Sequence, residues 1–149
     1  MKVELIAYNL KDRNEAIELH DIIHEYYSAS PYRPTVEKLM QTDSVYFKAT
    51  SEGKQFGITG YAMKTPTLAE TIKTTVFKEF QGKGLGKHLS DAIEEECRRI
   101  GIKKVMTTIF YYNHAMISIK LKQGYTIEGY HPDHEAPGFH EYSLGKILK

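Results

Sequence analysis

The stretch FKEFQGKGLGKHLSDAIEEE, residues 77–96, decides how the rest of the chain is read. Gly82, Gly84 and Gly86 stand among Lys83, Lys87 and His88, directly ahead of a segment with helical periodicity. Glycine reaches positive φ without strain and lets a ligand approach the backbone closely. The first turn of a helix offers unpaired N–H groups and a partial positive charge. Glycines, basic side chains and a helix start in this order point to an anion, with a phosphate as the natural occupant.

Two familiar glycine loops fail on spacing. A P-loop needs four residues between its first glycine and the Gly-Lys pair, followed by Ser or Thr. Gly82 and Gly86-Lys87 enclose only three, and His88 takes the place of the magnesium-binding hydroxyl. A dinucleotide fingerprint beginning at Gly82 and Gly84 requires a third glycine where Lys87 stands. What fits is Gln81-x-x-Gly84-x-Gly86, placed between a strand ending in valine and a long amphipathic helix.

Working outward, Leu85, Leu89, Ile93, Cys97 and Ile100 form one stripe of that helix, and Gly101 is positioned to cap it. The stretch 68–77 is rich in β-branched residues and 103–110 reads as a strand, so 68–110 is a strand–helix–strand unit with parallel strands. Asn113 is an N-cap for a helix that ends before Gly124. Residues 125–130 and 140–148 read as closing strands. Toward the N-terminus, 2–8 alternates like a strand, and Ile17, Ile22, Ile23 and Tyr26 mark a helix over 14–29. Residues 35–41 suit a short helix, and 44–50 with 54–63 form a hairpin. The class is α/β, with antiparallel strands at both ends.

Composition bounds the rest. A chain of 149 residues, 41% hydrophobic and 26% charged, suits one globular domain over 1–149, large enough to bury about 70% of its unfolded surface. A net charge of +1 gives no bulk grip on nucleic acid. MKVELIAYNL lacks the apolar core of a signal peptide, no apolar run is long enough to span a membrane, and Cys97 has no internal partner. A soluble cytoplasmic protein, bound to neither nucleic acid nor membrane, is expected.

The loop pattern resembles the acyl-CoA-binding motif of the GNAT superfamily of N-acetyltransferases. In that family a strand valine is followed five residues later by Gln or Arg, as Val76 is by Gln81. The family's later Asn and Gly-aromatic pair match Asn113, Gly124 and Tyr125, and the order of elements agrees over nearly the whole chain. The resemblance implies a mixed sheet of about six or seven strands with a central parallel pair, flanked by about four helices.

It also implies an acetyl-CoA-dependent N-acetyltransferase acting on a primary amine by direct attack in a ternary complex, with no metal. The loop amides from Gln81 through Gly82, Lys83, Gly84 and Leu85 to Gly86 would take the pyrophosphate, with Lys83, Lys87 and His88 adding charge. Val76 and Phe77 would offer main-chain groups to pantetheine, one strand amide would hold the thioester carbonyl, and Asn113 would contact the pantetheine arm. Many members pair through strands, so a homodimer is an expectation of the same kind. Two other functions stay open: a weak or inactive acyl-CoA-binding sensor, and an interaction domain whose loop binds nothing.

An ammonium is not nucleophilic, so a base must take its proton. Several members resembling this chain use a glutamate six residues before the strand valine, where Glu70 stands. Strand alternation puts Glu70 on one face with Ile72, Thr74 and Val76, a largely apolar setting that raises a carboxylate's affinity for protons. Many members also place a proton-donating tyrosine four residues before the Gly-aromatic pair. Lys120 occupies that place and no tyrosine lies within 113–124. Tyr111 or Tyr112, just before Asn113, could supply a substitute proton, as could Lys120 itself or water. A thiol leaving group with a pKa near 8.5 needs little help, since its expulsion as thiolate at pH 7 costs about 2 kcal/mol.

Three further groups have plainer readings. The histidines of HPDHEAPGFH, residues 131–140, lack the helical spacing of a metal site. The loop's carboxylates and the cluster Tyr26, Tyr27 and Tyr32 are candidates for holding a cationic amine. Glu94, Glu95 and Glu96 read as the wet face of the helix.

Overall fold

The structure, a computed structural model, describes residues 1–149. Its elements are β1 (Glu4–Ala7), α1 (Arg13–Tyr26), α2 (Val36–Gln41), β2 (Val45–Ser51), β3 (Lys54–Met63), β4 (Leu68–Val76), α3 (Leu85–Arg99), β5 (Lys104–Phe110), α4 (His114–Lys122), β6 (Thr126–His131) and β7 (Glu141–Ile147). A 3-10 turn at Lys78–Phe80 joins β4 to the glycine loop. The seven strands run in the order β1-β2-β3-β4-β5-β7-β6, as the sequence reading expected for strand number, parallel pair and helix count. β4 and β5 are parallel, while β5–β7 and β6–β7 are antiparallel. The chain divides into two compact units, 1–62 with 71–96 and 63–70 with 97–149.

In the first unit, Asp12 starts α1 by accepting the Asn14 N–H at 2.9 Å, and Thr35 starts α2 by accepting that of Lys38 at 3.1 Å. Both are N-cap residues whose oxygens satisfy otherwise orphaned donors. α1 buries Ala16, Leu19 and Ile23 against Tyr8, Leu39, Tyr46 and Ile58. Ile17, one of the four residues whose spacing marked this helix, is exposed. The inward face is set by the i, i+3, i+7 positions Ala16, Leu19 and Ile23.

β4 departs from simple alternation. Lys73 has φ of +52°, a left-handed conformation that inserts an irregularity into the strand. Ile72 packs with the α1–α2 cluster, whereas Val76 packs with Ala49, Phe56, Leu85 and Leu89 of a second cluster. Ile72 and Val76 therefore do not share a face, contrary to the alternation expected from sequence. α3 lays Leu85 and Leu89 into that second cluster, and fully burying a leucine contributes about 1.5–3 kcal/mol. Glu94 is 2% exposed, so the acidic run is not uniformly wet.

In the second unit, Ile102 donates to the Cys97 carbonyl and Gly101 to that of Arg98, with Gly101 at φ +94°. Tyr125, Gly124, Lys120 and Leu121 repeat the arrangement at the end of α4. Both are glycine-terminated Schellman motifs that satisfy the last carbonyls of a helix. Ile100 lies past the helix and is exposed, so the buried stripe stops at Cys97. Ala69, Val105, Ile109, Ile117, Tyr125 and Leu144 are buried here.

Candidate functional site

The glycine loop is shaped by two left-handed residues, Gly82 at φ +79° and Gly84 at φ +75°. A Cβ built on Gly82, Gly84 or Gly86 meets nothing within 4 Å, so the backbone there is open to approach. The loop runs directly into α3, whose first turn begins at Leu85. Gln81 has a role that sequence spacing alone did not reveal: its side-chain Nε2 donates to the Val76 carbonyl at 3.0 Å. The five-residue interval from Val76 to Gln81 is thus spanned by one side chain across the 3-10 turn.

The strand leading into the loop is fixed from α1. Tyr26 accepts the Lys78 N–H at 2.9 Å and stacks on Phe77 with ring centroids 5.7 Å apart. Tyr27 is bonded to Thr75 Oγ1 at 2.8 Å, and burial pushes its hydroxyl above the usual range. Tyr32 is exposed. Tyr26 and Tyr27 therefore brace β4, and the cation already over the Tyr27 ring is the chain's own Lys73 Nζ, 4.6 Å from its centroid. Phe77 donates its N–H to Phe56 on β3 at 2.8 Å. Successive strand residues turn their amides to opposite edges, so the Val76 amide faces away from β3.

The basic groups differ in what they already touch. Lys87 is paired with Asp91 at 3.0 Å, one turn along the helix surface, an exposed contact worth only tenths of a kcal/mol. Lys83 Nζ lies 5.9 Å from the Phe80 ring centroid.

In the second unit, Glu70 is the last β4 residue paired with β5, opposite Met106. Its side chain is 19% exposed, and Oε1 lies 3.1 Å from Lys64 Nζ. The carboxylate thus has a cationic neighbour, in place of the largely apolar setting expected. Tyr111 and Tyr112 follow β5 with their rings perpendicular and 5.5 Å apart, both exposed, and Tyr112 stacks on Phe110 at 5.6 Å. Asn113 caps α4 as expected, its Oδ1 accepting the Met116 N–H at 3.3 Å. Lys120 is buried with Nζ 4.9 Å from the Tyr125 ring centroid.

The histidines of the 131–140 segment serve local contacts. His131 Nε2 meets Ser143 Oγ at 3.0 Å and His140 Nδ1 takes the Asp133 N–H at 2.9 Å. No group of three His, Cys, Asp or Glu side chains is arranged to hold a metal ion. No helix is long and apolar enough to cross a membrane. A cavity of about 540 Å³ is lined by residues that include Arg98, Gly124, Thr126 and Glu128, none of them an expected site residue.

Comparison with known proteins agrees with this geometry. The model of the acetyltransferase (GNAT) family matches residues 13–125. No curated protein matches. Among solved structures, a GNAT-family acetyltransferase from Streptococcus pneumoniae superposes with a TM-score of 0.73 at 18% identity, covering 99% of this chain and 100% of that one. The yncA protein of Salmonella typhimurium, solved with its cofactor acetyl-CoA, gives 0.76 at 15% identity over 100% of this chain and 94% of its own. The ribosomal-protein-S18-alanine N-acetyltransferase of Escherichia coli gives 0.77 at 12% identity, covering 99% and 94%. At these identities the likeness shows the fold, and the family match over 13–125 adds membership: the chain belongs to the GNAT acetyltransferase family.

Proposed function

We propose that the chain is an acetyl-CoA-dependent N-acetyltransferase that acts on a primary amine by direct attack within a ternary complex. The observation that carries the reading is the loop from Gln81 to Gly86, left-handed at Gly82 and Gly84, open above all three glycines and feeding the N-terminus of α3. Converging amides at a helix start are suited to a pyrophosphate. The acetyl-CoA bound in the Salmonella structure of the same fold supports the assignment.

Coenzyme A supplies the acetyl group as a thioester. In this reading the loop amides hold its pyrophosphate, while Lys83, Lys87 and His88 add positive charge. Val76 offers its N–H to the pantetheine arm, and Phe77, whose N–H is already given to Phe56, contributes through its carbonyl. Asn113 Oδ1 is spent on capping α4, which leaves its amide nitrogen to reach the same arm. Glu70, directly or through water, takes the proton that the ammonium must lose, exchanging its contact with Lys64 to do so. The nitrogen lone pair forms the new C–N bond, the C–S bond breaks, and the thiolate takes a proton from Tyr111, Tyr112 or water, while the second proton that the acylated nitrogen loses restores that donor, so that one proton is released overall. A homodimer belongs to the same reading, β1 and β6 being the outer strands of the sheet.

One observation favours a second reading. Lys120, where many members carry the proton-donating tyrosine, is buried and turned to the Tyr125 ring. A binding module with little turnover would tolerate that loss. Calorimetry with acetyl-CoA, followed by thiol release with a panel of amines, separates the readings. Binding with release supports the enzyme, binding without release supports the module, and absence of binding removes both.

A further inference from the structure

The structure holds one buried side-chain oxygen with no hydrogen-bond partner, Oε1 of Glu141. The residue is 2% exposed and opens β7, paired with Phe110 of β5 on one side and His131 of β6 on the other. Directly opposed residues share a sheet face, so Glu141 stands between Phe110 and His131. The Phe139 ring, from the segment before β7, lies 5.8 Å from that of Phe110. His131 turns its Nε2 to Ser143. A carboxylate in aromatic surroundings with no donor is costly to bury, and packing gains nothing from the charge.

Glu70 lies on the same face. It opposes Met106, and Met106 and Phe110 are four residues apart on β5, pointing the same way. Two strand spacings across and four residues along put the Cα atoms of Glu70 and Glu141 about 16 Å apart. The missing partner must bring a hydrogen-bond donor. A cationic donor also cancels the buried charge, and charge-assisted bonds are roughly twice as strong as neutral ones. Aromatic ring faces attract the same kind of group.

We propose that Glu141 Oε1 receives a second ammonium group on the acceptor, so that the acceptor is a diamine or polyamine; this rests on the amine-acetylation reading above. Glu141 is a recognition residue here, and the reacting nitrogen lies at the Glu70 end. The bound group displaces what covers the carboxylate.

The test compares 1,8-diaminooctane with octylamine, equal in length and differing by one ammonium. The parent protein should favour the diamine at least tenfold in kcat/KM, with the difference carried by KM. Glu141→Gln should bring that ratio close to one, and Glu141→Asp should restore part of it. Calorimetric binding of the diamine, read without turnover, should weaken in Glu141→Gln by a similar factor while acetyl-CoA affinity is unaltered. A parent with no diamine preference in either measurement overturns the proposal, and that readout needs no variant to fold. So does a folded Glu141→Gln protein that keeps the full preference. If acetyl-CoA fails to bind yet diamine binding depends on Glu141, the function reading falls and the ammonium site stands.

Discussion

Gln81 is bonded through its side chain to the Val76 carbonyl at 3.0 Å, which ties the glycine loop to the last residue of β4. The bond is exposed, and such bonds contribute little to global stability, on the order of 1 kcal/mol or less. Its effect should be felt in the loop. Gln81→Leu is expected to leave the thermal midpoint nearly unchanged while weakening acetyl-CoA binding about three- to tenfold, measured by calorimetry. Equal affinity in the two proteins would show that the loop holds its shape without the tie.

Gly86 gives the cleaner test of ligand approach. It lacks the positive φ of Gly82 and Gly84, and its surroundings are open. Gly86→Val should therefore fold without backbone strain but obstruct an incoming phosphate, lowering acetyl-CoA affinity at least tenfold, about 1.4 kcal/mol. Gly84→Val adds the strain of a β-branched residue at φ +75° and should lose stability as well. Undiminished binding in a folded Gly86→Val protein would take the pyrophosphate away from this loop.

Glu70→Gln should preserve acetyl-CoA affinity and lower turnover by roughly 10²–10⁴-fold, the usual worth of a general base. The deficit should narrow at high pH, where free amine is abundant. Lys64→Met, which frees the carboxylate from its 3.1 Å ion pair, tests whether that contact competes with the acceptor. The expected result is a lower KM for amine. A pH-independent deficit in Glu70→Gln would assign the residue to structure alone.

Tyr8 makes an alkaline prediction about the fold. Burial raises its pKa from 10.0 to about 12, although Gln55 donates to its oxygen at 3.1 Å. The folded protein holds this proton more tightly than the unfolded chain, so it binds more protons between pH 10 and 12. Stability is present in full below pH 10 and falls through that window, by about 2 kcal/mol for this residue. Tyr27 shifts in the same direction. Urea midpoints at pH 9 and pH 11 should converge partly, but not fully, in Tyr8→Phe. A parent whose midpoint is flat over this range would contradict the assignment.

Much of the fold could be read because its signals are local. Asn113, Gly101 and Gly124 act through hydrogen bonds within a few residues, and each caps the helix end expected of it. The 44–63 hairpin and the parallel pair followed from periodicity and connection length. What escaped depends on tertiary context. Lys73 in a left-handed conformation carries no residue-type signature, yet it shifts Val76 off the face predicted from alternation. Glu94 sits in an acidic run, and only packing shows that it is buried while Glu95 is not. Glu141 lies in HEYSLGKIL, an ordinary strand by composition, and its missing partner is visible only in three dimensions. The glycine loop gave its chemistry through backbone requirements, which sequence records well. The acceptor side relies on isolated side chains, which it records poorly.

The parallel ladder has only three rungs, Leu68–Lys104, Ala69–Val105 and Glu70–Met106. The chain between them carries the rest of β4, the glycine loop and all of α3. Closing that long excursion costs loop entropy before three pairs can repay it, whereas β2–β3 closes across a tight turn. The parallel rungs should therefore be late to form during folding and early to let go under mild denaturant. Amide exchange at their hydrogen-bonded donors would then report an opening well below the global unfolding free energy.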